Sequence, residues 1–160
     1  MTEEKTFTLS QAHYHFAVDF HGQTWDLLEK KKRTRFEDVR MLDYAHASLA
    51  HWRAAGGAVP QQRGEWLVSH VHAALGDGVH ALKHAQLCFE LLEGNKSEME
   101  DFDFAFAYEA IARAYAVSGD MAGAKKFIEK AQQAGDAIKD KDDRDVFFAE
   151  FNGGEWHGAK

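Results

Sequence analysis

Residues 70–86 read HVHAALGDGVHALKHAQ and residues 112–130 read ARAYAVSGDMAGAKKFIEK. Placing Gly76 on Gly119 brings Asp77 onto Asp120, Ala81 onto Ala124 and Ala85 onto Ile128, a period of 43 residues. Each stretch is an apolar-periodic run, a Gly-Asp pair and a second such run. Glycine permits the tight left-handed exit that ends one helix. Aspartate accepts from the free N–H groups that begin the next. The small residues at 81 and 124 let the two helices of each hairpin approach closely. One hairpin cannot bury its apolar faces alone, so the repeat predicts a stack.

Working outward, helical periodicity is nearly continuous and no strand-like alternation of useful length interrupts it. Ser10 is positioned to cap a first helix running to about Lys31, with Phe16, Phe20 and Leu27 or Leu28 on one stripe. Thr34 and Glu37 form a capping box for a second helix that stops at Gly56-Gly57. Pro60 suits the first turn of a third, which runs through Leu75. Asp77 opens a fourth, ending near Gly94. The polar segment GNKSEMED (94–101) reads as the longest loop, with Asp101 capping a fifth helix. Asp120 caps a sixth to around Gly135, and a seventh begins near Asp142. The final NGGEWHGAK reads as a fraying tail.

The expectation is one all-α domain over residues 1–160, of about seven antiparallel helices. Its hairpins fall at about 10–56, 60–94 and 101–136, with a C-terminal helix at 142–152. DFDFAFAY (101–108) is apolar on more than one face and should be sandwiched between neighbours. The segment VFFAEF (146–151) should cover the end of the stack or make a homodimer contact.

Composition narrows the functional classes. Apolar residues make up 45% and charged residues 28%, a globular profile with no 18-residue apolar window for a membrane span. The opening MTEEKTF lacks the pattern of a secretory leader, so a cytoplasmic location is expected. The net charge of -7 disfavours a nucleic-acid partner. The one basic run, EKKKRTR (29–35), lies where positive charge complements a helix C-terminus. Cys88 is the only cysteine and sits in the apolar run AQLCFELL, as a buried thiol would. There is no phosphate-binding glycine loop, nucleophile elbow or cysteine-histidine pair. No enzyme activity and no cofactor are expected.

The unit 105–136 resembles a tetratricopeptide repeat. Tyr108, Ile111, Ala112 and Tyr115 match the first-helix pattern, and Gly119, Ala124, Ile128 and Ala131 match the turn and second helix. The unit 62–93 is similar through Val68, Ser69, Gly76, Ala81, Ala85 and Cys88. It departs by placing Glu65 and His72 at the two aromatic positions, with Trp66 displaced by one. The period of 43 exceeds the family's roughly 34 residues, the extra length falling at 94–101. Most of the chain is also similar to small bacterial tetratricopeptide-like proteins, a likeness that implies no particular activity.

The resemblance implies a concave groove formed by helices 3 and 5. Its lining would be Arg63, Trp66, His70, Ala73 and Ala74, with Phe106, Glu109, Arg113, Ala116 and Val117. The function so implied is non-catalytic binding of a protein segment, either a peptide or a partner helix. With two arginines, no lysine, no asparagine and Glu109, the groove lacks the clamp that holds a terminal carboxylate. Alternatively, Trp66 and Phe106 pack against the first hairpin or the seventh helix and fill the groove.

The chain holds ten histidines, which raise a second possibility. His15 and Asp19 are four apart, Asp43 and His46 three apart, and Glu65 lies on the third helix. Together these five would make a metal-binding or small-molecule-binding bundle with a site between helices 1–3. His80 and His84 share a face, but HALKH has alanine where a zinc protease needs glutamate. His70 and His72 lie about 200° apart on a helix and cannot share an ion.

Overall fold

Gly76 and Gly119 adopt φ of +80° and +82° and close their helices identically. The Asp77 N–H bonds the His72 carbonyl at 2.9 Å, and the Asp120 N–H bonds the Tyr115 carbonyl at 3.0 Å. Each glycine N–H bonds the carbonyl three residues earlier at 3.1 Å. This left-handed exit is one that glycine makes without strain. The aspartate side chains then turn forward and accept from the N–H groups of His80 and Gly123.

The computed structural model describes residues 2–160, and among them are seven α-helices, one 3₁₀ turn at Lys96–Glu98 and no strand. The helices are α1 (Leu9–Leu28), α2 (Arg35–Ala55), α3 (Ala58–Ala74), α4 (Gly78–Gly94), α5 (Asp101–Val117), α6 (Met121–Asp136) and α7 (Lys141–Asn152). Helices α1/α2, α3/α4 and α5/α6 pair as hairpins, and each hairpin packs on the next. Helix α5 is enclosed by α3, α4, α6 and α7. The period extends beyond the two units that reveal it: the caps Thr34, Asp77 and Asp120 are 43 residues apart. Helices α3 and α5 also start 43 apart, at Ala58 and Asp101.

Two helix starts and the tail differ from the sequence reading. Thr8, not Ser10, caps α1, in a reciprocal box with Gln11. At α5, the Asp103 carboxylate accepts from the Glu100 N–H at 3.0 Å. Asp101 instead accepts from the Lys139 N–H at 2.9 Å and ties the start of α5 to the α6–α7 connection. The tail does not fray. Trp156 and Ala159 are buried against Ala105, Phe147 and Phe151, and the Trp156 indole donates to the Phe151 carbonyl at 3.1 Å. The glycines at 153, 154 and 158 serve to turn the chain back on itself.

Two apolar clusters lie along the stack. One joins α2 to α5 through Met41, Leu49, Leu67, Val71 and Leu92. The other joins α5, α6, α7 and the tail through Ala131, Ile138, Phe147, Phe151 and Trp156. Small residues set the spacing. Ser48 donates to the Ala17 carbonyl and Ser69 to the Ala81 carbonyl, both at 2.8 Å, across the first and second hairpins. The period places Ala112 at the position of Ser69, so the third hairpin makes the same approach without the hydroxyl. Cys88 is buried, with the Gln62 amide 3.2 Å from its sulfur. Burial pushes that thiol far up, which removes it as a nucleophile.

Gly135 is buried on α6, where a Cβ would stand 2.7 Å from Phe147 Cδ1 and 2.9 Å from Phe148 Cζ, with Phe147 Cε1 closer still. Alanine is the better helix former by about 1 kcal/mol. Displacing a fully buried ring costs about 1–3 kcal/mol, so Gly135→Ala should lower stability by about 1 kcal/mol net. Equilibrium urea unfolding measures this, and a loosened α7 should appear as faster amide exchange over residues 141–152.

Candidate functional site

A fully buried carboxylate organises the face formed by α3 and α5. Glu109 on α5 accepts from the Trp66 indole N–H at 3.1 Å and from Nε of Arg113, one helical turn on. Arg113 extends this chain of bonds into the C-terminal segment. Its Nη2 donates to the Glu150 carbonyl at 2.6 Å and to the Gly153 carbonyl at 2.9 Å. The guanidinium also lies 4.2 Å over the Trp156 ring. Gly154, at φ +71°, lets the backbone come this close: a Cβ there would be 2.9 Å from Arg113 Nη1.

Aromatic packing surrounds these bonds. Trp66 stacks on His70 at 4.8 Å and on Trp25 at 6.0 Å, and meets Phe106 edge-on at 5.2 Å. Phe106 in turn meets Phe147 of α7 edge-on at 5.1 Å. The Trp25 indole donates to His21 Nε2 at 3.1 Å, which fixes the ring along α1. Burial lowers the His21 pKa, consistent with a neutral acceptor nitrogen.

The six aromatic or charged side chains expected in the groove therefore have different surroundings. Trp66, Glu109 and Arg113 form one hydrogen-bonded line, and Phe106 lies beneath α7. Arg63 stands apart, with a bidentate pair to Asp103 at 2.9 and 3.0 Å and the Phe102 ring at 4.9 Å. His70 faces the space that remains. Helix α7 and the tail occupy the part of the groove over α5, leaving a cleft of about 600 Å³ beside it. It is lined by Trp25 of α1 and Glu29 just after it, by His70 and Ala73 of α3, and by Glu150 and Glu155.

The charge of this cleft is largely negative. Arg113 reaches its edge but is committed to Glu109 and the two carbonyls. Burial raises the Glu150 pKa, with Glu109 and Glu29 adding to the effect and Arg113 opposing it. His70 Nε2 lies 3.8 Å from Glu150 Oε2, while its Nδ1 is buried without a hydrogen-bond partner among the described residues. Burial lowers the His70 pKa and keeps the ring neutral near pH 7.

The five residues considered as a carboxylate-histidine site do not meet. His15 is exposed and stacks on Phe7 at 5.2 Å. Asp19 accepts from the Gln23 amide at 2.7 Å, and Asp43 is exposed on α2. His46 and Glu65 instead lie beside two other histidines, His72 and His84. Burial lowers the His72 pKa to about 4, with Asp77 opposing and the neighbouring imidazoles adding to the shift.

Sequence reasoning missed the packing of residues 153–160 as a segment, although Trp156 reads as a core ring. Trp156 in a glycine-rich segment was the available signal, since a tryptophan usually finds a surface to cover. The fold and the cleft define a class: a stack of helical hairpins whose α3–α5 face is partly covered by α7 and residues 153–160. Compared with family models, curated proteins and solved structures, the chain finds no match in any of the three.

Glu109→Ala would leave Arg113 as a buried, unpaired cation, a change that costs about 3–5 kcal/mol. Thermal and urea unfolding should show that loss. Limited proteolysis should cut first within residues 150–160, because Arg113 no longer holds that segment.

Proposed function

We propose that the chain is a non-catalytic interaction module of the tetratricopeptide type. It holds a short protein segment in the cleft between α1, α3 and the C-terminal segment. The observation that carries this reading is the composition of the cleft. It has a flat aromatic wall at Trp25, a neutral imidazole at His70, and Glu29, Glu150 and Glu155 along its rim. The one nearby arginine is already satisfied by Glu109. Such a surface complements a lysine or arginine side chain lying on an indole, flanked by aliphatic residues. The tetratricopeptide likeness supports the concave face as the binding face, and α7 with the tail shortens it to a few residues' length.

A peptide display selection against the full chain should enrich basic-aliphatic sequences. By fluorescence polarisation, Trp25→Ala and Glu150→Gln should each weaken the selected peptide by about 2 kcal/mol, roughly 30-fold. Arg63→Ala, at the far end beside Asp103, should leave affinity unchanged. Enrichment of acidic sequences, or full affinity in Trp25→Ala, would rule out the cleft as the site.

The pH dependence follows from Glu150. Its pKa lies above the ordinary 4.5 through burial, with Glu109 and Glu29 raising it and Arg113 lowering it. As pH falls through the Glu150 pKa the carboxyl takes a proton and its attraction for a cation is lost. Affinity for a basic peptide should therefore drop in acid, at a higher pH in wild type than ordinary glutamates would give. Glu150→Gln should flatten this step.

A further inference from the structure

The second and third hairpins differ at one place in a coordinated way. Around the third, Phe89 of α4, Tyr108 and Tyr115 of α5 and Phe127 of α6 form a run of packed rings, with centroids 5.7, 6.4 and 5.8 Å apart along the contacts Phe89–Tyr108, Tyr108–Phe127 and Tyr115–Phe127. Forty-three residues earlier, the same four positions carry His46, Glu65, His72 and His84. Packing alone is satisfied by carbon rings, as the third hairpin demonstrates. Around the second, every member of the cluster, His46 of α2 included, is a group that coordinates or supports a cation.

The geometry points to a divalent-metal site, of the zinc type, held by His46 of α2, His72 of α3 and His84 of α4. Each offers one ring nitrogen, and these three nitrogens lie within 4.8 Å of one another. A tetrahedral zinc with bonds of about 2.0–2.1 Å needs nitrogens about 3.3 Å apart, which small side-chain rotations supply. His72 and His84 stack nearly parallel, at 5.6 Å and 6°, and His46 stands edge-on to both.

The outer partners match what metal-bound imidazoles require. His84 Nδ1 donates to Glu65 Oε2 at 2.7 Å, and Glu65 is buried and held on its other oxygen by Arg53. His72 Nδ1 lies 3.3 Å from Asp77 Oδ2. A carboxylate on one ring nitrogen fixes the tautomer and leaves the other nitrogen's lone pair for the ion. His84 has that arrangement, and His72 has a carboxylate nearby without a hydrogen bond to it. His46 is exposed, so the fourth coordination position opens to solvent. Three neutral imidazoles without a thiolate favour zinc over calcium or magnesium. The ion would join the first hairpin to the second, since its ligands come from both.

The test uses the full chain purified without a histidine tag. Calorimetric titration with Zn²⁺ should give one equivalent, and Co²⁺ should give the visible bands of a four-coordinate ion. Bound zinc should raise the thermal midpoint, because the folded state alone assembles the site. His46→Ala removes an exposed ligand, should keep the helical circular dichroism signal, and should lower zinc affinity more than 100-fold. Glu65→Gln should cost about 10–100-fold, the usual effect of losing such an outer partner. His80 lies 2.7 Å from Asp77 in a neighbouring group of His72, Asp77 and His80, so His80→Ala is the control and should leave affinity within a few-fold. Absence of one-equivalent binding, unchanged affinity in His46→Ala, or loss of binding in His80→Ala would each overturn the assignment.

Discussion

A carboxylate removed from water must be neutralised where it stands, and Glu109 is the point on which the α3–α5 face of this molecule depends. Its two oxygens join Trp66 of α3 to Arg113 of α5, and Arg113 passes the connection on to the chain turning out of α7. Desolvating such a group is unfavourable by several kcal/mol unless its partners are well placed. The partners are placed by the stack itself. Helix α3 lies beside α5 because both pack on α4, and α5 is alanine-rich at Ala105, Ala107, Ala110, Ala112, Ala114 and Ala116, which lets four neighbours approach it. The cleft exists because this line of bonds closes one part of the groove and leaves the adjoining part open.

Most helix boundaries were legible because their chemistry is local. The Gly-Asp turns, the Thr34–Glu37 box and the Gly56-Gly57 stop each act within a few residues, and each has the role its sequence suggests. The tail was not legible. Its glycines suggested disorder, while part of what holds it is Arg113, on a helix some forty residues earlier. Arg113 binds main-chain carbonyls there, and carbonyls are common to every residue. No side-chain pattern in the tail could announce them.

The histidines illustrate a related limit. Spacing within one helix pairs His80 with His84, and His15 with Asp19, yet the three imidazoles that meet come from three helices. Wheel arguments cannot bring those together. The repeat can, once Glu65 and His72 are considered jointly as departures from one aromatic cluster. Each alone is a flaw in a repeat pattern, whereas both together, with His46 and His84, describe a polar core exchanged for an apolar one at constant geometry. The same period thus specifies two chemically distinct interiors in adjacent hairpins.

The order in which these parts can form follows from the topology. Each hairpin depends mainly on its neighbour in sequence, and contacts of short separation are made early and quickly. The latch from Arg113 to residues 150–156 has nothing to grip until α5 and α7 are in place. Interactions absent from the folding transition state act on the rate of opening rather than on the rate of assembly. The C-terminal segment therefore sets how long the molecule stays folded: a late-closing clasp that governs lifetime more than speed of folding.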